Sequence, residues 1–104
     1  MNVGDKHWAV TEGWIPPLGD KTLSVLNVSR QTANVRVTVY YSDRDPVGPY
    51  RLTVPAERLR RIRFDCLKDP EPIPHATEYA MTIDSDVPIV VQQAGVVSSD
   101  TPDA

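Results

Sequence analysis

Residues 34–41 read NVRVTVYY, and this octet constrains the fold more than any other part of the chain. Val35, Val37, Val39 and Tyr41 fall on one face of an extended segment, and Arg36, Thr38 and Tyr40 fall on the other. A period of two suits a half-buried β-strand, because successive strand side chains point to opposite faces. Ten prolines against five glycines push the same way. Proline fixes φ and lacks the N–H that a ladder needs, so proline at this density cuts a chain into short elements with sharp ends.

Six further segments carry strand character. They are 6–11 (KHWAVT), 22–28 (TLSVLNV), 51–54, 59–64, 79–83 and 89–97. Leu52 and Val54 share a face; Ile62 and Phe64 oppose Arg61 and Arg63; Tyr79, Met81 and Ile83 oppose Ala80 and Thr82. The last segment starts directly after Pro88 and has consecutive apolar residues, which predicts cover on both faces. Strands at this spacing, separated by turn residues, predict an all-β fold: an antiparallel β-sandwich of about seven to eight short strands. A helix over 56–64 (AERLRRIRF) is the local rival, but Leu59, Ile62 and Phe64 make no sustained helical stripe. Residues 65–75 (DCLKDPEPIPH) hold three prolines and predict an extended, polyproline-like connection across one end. At 104 residues the chain is one domain, read as 1–97, with a short polar tail over 98–104.

Composition narrows the function classes. The formal net charge is −3, so no global field draws the chain to nucleic acid or an anionic membrane. Arg58, Arg60, Arg61 and Arg63 cluster, but in a strand they split between two faces and form no phosphate-tracking stripe. Ion pairing at a surface or subunit contact is the expected role of these arginines. Residues 1–10 (MNVGDKHWAV) contain no apolar signal region, and no run approaches the ~20 residues of a membrane helix. A single cysteine, Cys66, cannot build a disulfide framework. A cytoplasmic protein without membrane insertion is the expectation.

The chemistry of catalysis is thinly represented. His7, Cys66 and His75 stand at no metal-ligand spacing, so neither a metal nor another cofactor is expected. Cys66 is read as a small buried thiol at a strand end. No GxSxG elbow, phosphate loop or GxGxxG is present. Glu12, Asp43 and Asp45 are the carboxylates from which a glycosidase pair could be drawn.

Aromatic and polar residues on stiff segments are the better candidates. Trp8 and Trp14 bracket Glu12, and the IPP at 15–17 stiffens the exit. Indole faces beside carboxylates suit a sugar-like ligand, although either tryptophan could equally fill the core. His75 closes the PIPH segment as a polar contact or a loop cap. Gln92 and Gln93 fall in the most apolar segment and need partners if buried. Residues 43–50 (DRDPVGPY) are too long for a two-residue hairpin; Pro46 and Pro49 fix two φ values around Gly48, so the loop either presents Asp43, Arg44, Asp45, Tyr50 and Arg51 in a set geometry or is a sturdy turn with solvated charges.

The strings EGWIPP, YYSDRDPVGPYRLTVPA, FDCLKDPEPIPH and DVPIVVQ, in this order, resemble the bacterial sensory rhodopsin transducer family over residues 8–93. The resemblance implies a small all-β sandwich, assembly as a homotetramer, and no enzymatic activity. It further implies a signalling role, with a membrane photoreceptor or another signalling protein as partner, or the binding of a small polar molecule such as a carbohydrate. Glu12, Trp14, Tyr41, Asp43, Arg51 and His75 stand at positions within those strings; with Trp8 they form the expected ligand-binding set.

Overall fold

The computed structural model describes residues 3–15, 20–74 and 77–96, with side-chain placement over 3–10, 21–64, 66–74 and 77–93. Among the described residues six strands run in chain order: β1 (Asp5–Ile15), β2 (Asp20–Asn27), β3 (Ala33–Tyr40), β4 (Val47–Val54), β5 (Arg58–Arg63) and β6 (Thr77–Val96). A 3-10 turn at Phe64–Cys66 follows β5. All pairings are antiparallel, in the order β4-β3-β6-β2-β5, with β1 also on β6. The sheet curls into a half-barrel.

The β6 strand organises this curl. Its first half pairs with β1 on one edge and β3 on the other, so that Ile83 stands between Trp8 and Val37. Its second half pairs with β2, from Leu26↔Val90 to Asp20↔Val96. The two segments expected at 79–83 and 89–97 are therefore one continuous strand that passes through Pro88. Proline is tolerated there because pairing to β3 ends at Ser85 and pairing to β2 begins at Val90. Within the gap the Val87 N–H donates to Ser85 Oγ at 3.3 Å, so the backbone donor is satisfied locally. The two-sided cover expected for 89–97 is also corrected. Ile89 and Val91 are buried, Val90 is half-buried and Gln92 is exposed, so the strand alternates. Gln93 accepts a hydrogen bond from Tyr79 Oη.

The core lies on the concave side. Val35, Val37 and Val39 of β3 are buried as their alternation requires, together with Leu23, Val25, Tyr50, Val54, Phe64, Met81 and Ile83. Fully burying each such aliphatic side chain contributes ~1.5 kcal/mol or more. Phe64 meets Tyr79 edge-on at 5.5 Å. Leu67 and Ile73 of the proline-rich connection are buried in the same core, and the Tyr50 hydroxyl donates to the Glu71 carbonyl at 2.6 Å. That connection begins with a 3-10 turn rather than a polyproline run, and the turn carries Cys66 outward. The thiol is exposed, contrary to the buried placement expected of it.

The segment 43–50 also differs from its expected form. Strand β4 already begins at Val47, so Pro49 lies inside it. Two steps of β3, Val37 to Val39, are matched by three steps of β4, Tyr50 to Val47, which places a bulge at Gly48–Pro49. A terminal strand of the sheet can spare proline's missing N–H. Glycine is required beside it, because a Cβ at Gly48 would stand 2.9 Å from the Val37 carbonyl oxygen.

Candidate functional site

Antiparallel register turns the alternation of each strand into rows that cross the sheet. On the core side, Trp8, Ile83, Val37 and Tyr50 form one row over β1, β6, β3 and β4. The next residue along gives His7, Asp84, Arg36 and Arg51, a charged row on the outward face. His7 Nδ1 and Asp84 Oδ1 are 2.7 Å apart. Arg36 stands opposite Asp84 on one side and opposite Arg51 on the other.

Beside this row lies an open concavity of about 570 Å³, lined by Asn34, Arg36, Arg51, Thr53 and Arg60 among others. Arg60 comes from β5, at the opposite end of the strand order. The curl brings the two ends together, and Arg60 Nη1 donates to the Thr53 carbonyl at 2.7 Å. Asp86 borders this region, taking the Asn34 N–H at 2.8 Å and the Asn34 amide at 2.7 Å. These two bonds, led by the backbone one, hold its carboxyl below the usual carboxylate range, and Arg36 adds to the effect.

A second recess, of about 220 Å³, lies where β3 ends. Tyr40, Tyr41, Ser42, Glu78, Tyr79 and Ala80 line it. Tyr40 is paired with Ala80, which sets the tyrosine beside β6. Tyr41 is half-buried against the core, and the Arg44 guanidinium carbon lies 4.4 Å from its ring centroid. Arg44 also approaches Asp43, with Nε 3.7 Å from Oδ1. Burial pushes the Tyr41 phenol up; Arg44 pulls it back and Glu71 pushes it further up. Burial takes Tyr50 to about 12, with Tyr41 and Glu71 adding, and takes Tyr79 to about 12 on its own.

The candidate residues divide between these places. Tyr41 and Asp43 come together through Arg44. The backbone of Trp14 pairs with Glu78, so β1 reaches the tyrosine recess, and Glu12 falls in the register shift between Val10 and Gly13. The side chains of Glu12 and Trp14 lie outside the described residues, as does His75. Arg51 stands on the charged face, away from that recess. Trp8 packs against the core, and its indole N–H donates to the Asp5 and Ile89 carbonyls, each at 3.0 Å. Its one donor is engaged within the fold. Tyr40, Glu78, Arg36 and Arg60 were not among the candidates, and Arg44 was expected only as part of the 43–50 loop. Arg36 and Tyr40 were visible as the outward residues of the NVRVTVYY alternation, and Arg60 as part of the arginine cluster. What placed them in sites was register.

Among the described residues no three His, Cys, Asp or Glu side chains converge on a metal position. No helix among them is long and apolar enough to cross a membrane.

The profile of the Anabaena sensory rhodopsin transducer family matches residues 3–103. A solved structure of the Anabaena sensory rhodopsin transducer is 52% identical, covers 90% of this chain and 99% of its own, and superposes with a TM-score of 0.83. The crystal structure of Thermotoga maritima 1070 is 26% identical, covers 96% of this chain and 88% of its own, also with a TM-score of 0.83. No curated protein sequence matches the chain.

Proposed function

We propose, from the premise that the chain belongs to the Anabaena sensory rhodopsin transducer family, that it is a non-enzymatic signalling module of the cytoplasm that reads a small polar molecule. The observation that carries this reading is the tyrosine-walled recess, where aromatic rings, a serine and one carboxylate, Glu78, meet in about 220 Å³. Stacking rings with a few directed polar groups are how a protein holds a polar ring. The volume lies below the ~300–1,000 Å³ of pockets for drug-sized ligands, which suits a ligand of monosaccharide size. The backbone of β1 pairs with β6 at Glu78, so a further strand borders the recess. Glycoside hydrolysis needs two facing carboxylates, and among the described residues Glu78 is the one carboxylate lining the recess.

Thermal denaturation against a panel of saccharides and polar metabolites tests this reading. A ligand present at 100 times its dissociation constant adds ~2.7 kcal/mol. Tyr41→Ala and Glu78→Gln should each abolish the shift. An unmoved melting temperature across the panel would sink the proposal.

A second reading, a protein-interaction adaptor, is favoured by a different observation. The strand order ends at β4 and β5, and β5 presents Leu59 at 54% exposure. Edge strands with exposed apolar side chains pair readily with another chain. The 52%-identical relative is named as the transducer of a sensory rhodopsin, so a membrane photoreceptor is the partner to test, and a homotetramer the assembly. Light scattering at micromolar concentration should give four times the chain mass, and Leu59→Lys should lower it. A monomer mass for the parent protein would refute the tetramer, and lack of co-purification with a co-expressed rhodopsin would remove that partner.

A further inference from the structure

We propose that the concavity lined by Arg36, Arg51 and Arg60 is an anion site that takes the phosphate group of a small organic molecule. This site is separate from the tyrosine recess and does not depend on it.

Arg36 and Arg51 are direct cross-strand partners on β3 and β4. Like charges at opposed positions of an antiparallel pair work against the fold; Asp84 on the other side of Arg36 gives that arginine a favourable partner, but Arg51 gains none from it. Arg60 then brings a third guanidinium to the same concavity. It stands two residues before Ile62 on the core-facing side of β5, but its side chain is exposed and turned across the β4 edge to the Thr53 carbonyl. An inward-facing charge on a terminal strand is a known device against edge pairing, and that role accounts for Arg60 taken singly. It does not account for Arg36 and Arg51 beside it.

The nearby carboxylates make no salt bridge to the group. Asp84, opposite Arg36, is bonded to His7. Asp86 feels Arg36 electrostatically, but both its oxygens are taken by Asn34. Among the described residues none of the three arginines is in an ion pair. A chain of net charge −3 thus gathers three guanidiniums, none of them in a salt bridge among the described residues, around one hollow of about 570 Å³. Guanidinium forks match the oxygens of phosphate in pairs, and Thr53 adds a hydroxyl at the rim.

Size and surroundings select the class of anion. The volume is that of a small-molecule site. Asp84 and Asp86 border it, so an extended polyanion would leave the guanidiniums and meet carboxylates. Nucleic acid requires charge neutralisation along a tract, which this face does not offer.

Calorimetric titration at low salt, with inorganic phosphate, a hexose phosphate, the unphosphorylated hexose and a short DNA duplex as probes, tests the assignment. The hexose phosphate should bind, the unphosphorylated sugar should not, and free phosphate should compete. Arg51→Ala should weaken binding about tenfold or more, as expected for losing a charged hydrogen-bond donor, and Arg51→Lys should fall between. Without ligand, Arg51→Ala should melt no lower than the parent, because it relieves repulsion from Arg36. Absence of heat with either phosphate probe would overturn the site. Equal weakening by Arg30→Ala, a residue outside the lining, would do the same. Tighter binding of the duplex than of the hexose phosphate would overturn the ligand class.

Discussion

The side-chain amide of Asn27 donates to the Val54 carbonyl at 3.0 Å, joining the end of β2 to the end of β4 inside the core. The same nitrogen reaches the carbonyls of Gln31 at 2.7 Å and Pro55 at 3.2 Å. Its oxygen accepts from the Ser29 N–H and hydroxyl. Asn27 has no exposed surface, and both halves of its amide are satisfied.

Asn27→Ala should therefore cost about 2–4 kcal/mol, the sum of lost bonds near 1 kcal/mol each and of carbonyls left dry. That is a large share of the ~5–15 kcal/mol available to a domain. Asn27→Asp should be no better, since a carboxylate cannot donate to three carbonyls. Chemical denaturation gives the values, and a loss under about 1 kcal/mol would show that water replaces the clamp.

Backbone geometry predicts substitutions of opposite sign. Glu57 has φ +55°, a left-handed conformation that costs a residue with a Cβ about 1–2 kcal/mol, while its N–H donates to the Ser29 carbonyl at 3.1 Å. Glu57→Gly should keep that bond and stabilise the protein by up to ~1 kcal/mol. Gly4, at φ +91°, has no such freedom, because an added Cβ would stand 2.5 Å from the Ile89 carbonyl oxygen. Gly4→Ala should lower the melting temperature.

Alkaline titration should resolve two tyrosines from the rest. Tyr50 and Tyr79 are pushed from the ordinary value of 10.0 to about 12, in both by burial first. Each folded-state pKa is raised, so the proton is held more tightly in the native state. Their contribution to stability is full below pH 10 and falls away as pH rises toward 12. Tyrosinate absorbance should show two phenols ionising near pH 12 or together with unfolding. Phe substitution at position 79 should remove one of them.

At the acid end Asp86 acts with the opposite sign. Its folded-state pKa lies below the ordinary 3.8, held there by Asn34. The contribution is present above that ordinary value and is lost as pH falls through the depressed one. Asp86→Asn should flatten the stability curve in that range and leave its shape unchanged at neutral pH. An unaltered acid limb in the variant would show that the Asn34 bonds do not hold in solution.

The alternation of 34–41 was sufficient by itself to place Val35, Val37 and Val39 in a core and Arg36 and Tyr40 outside it. That follows from the geometry of one extended strand, which needs no partner to be defined. The motif strings around EGWIPP and YYSD likewise identified the family before any contact was known. Tertiary structure decided what depends on pairing. Pro88 marked a strand boundary in sequence, yet β6 runs through it because the proline falls where one neighbour ends and the next begins. Arg36 and Arg51 became partners through a register that the Gly48–Pro49 bulge adjusts, and Arg60 joined them through a curl that brings the two ends of the sheet together. Neither the register nor the curl is a property of any single strand, because both arise only when hydrogen-bonded neighbours share a core.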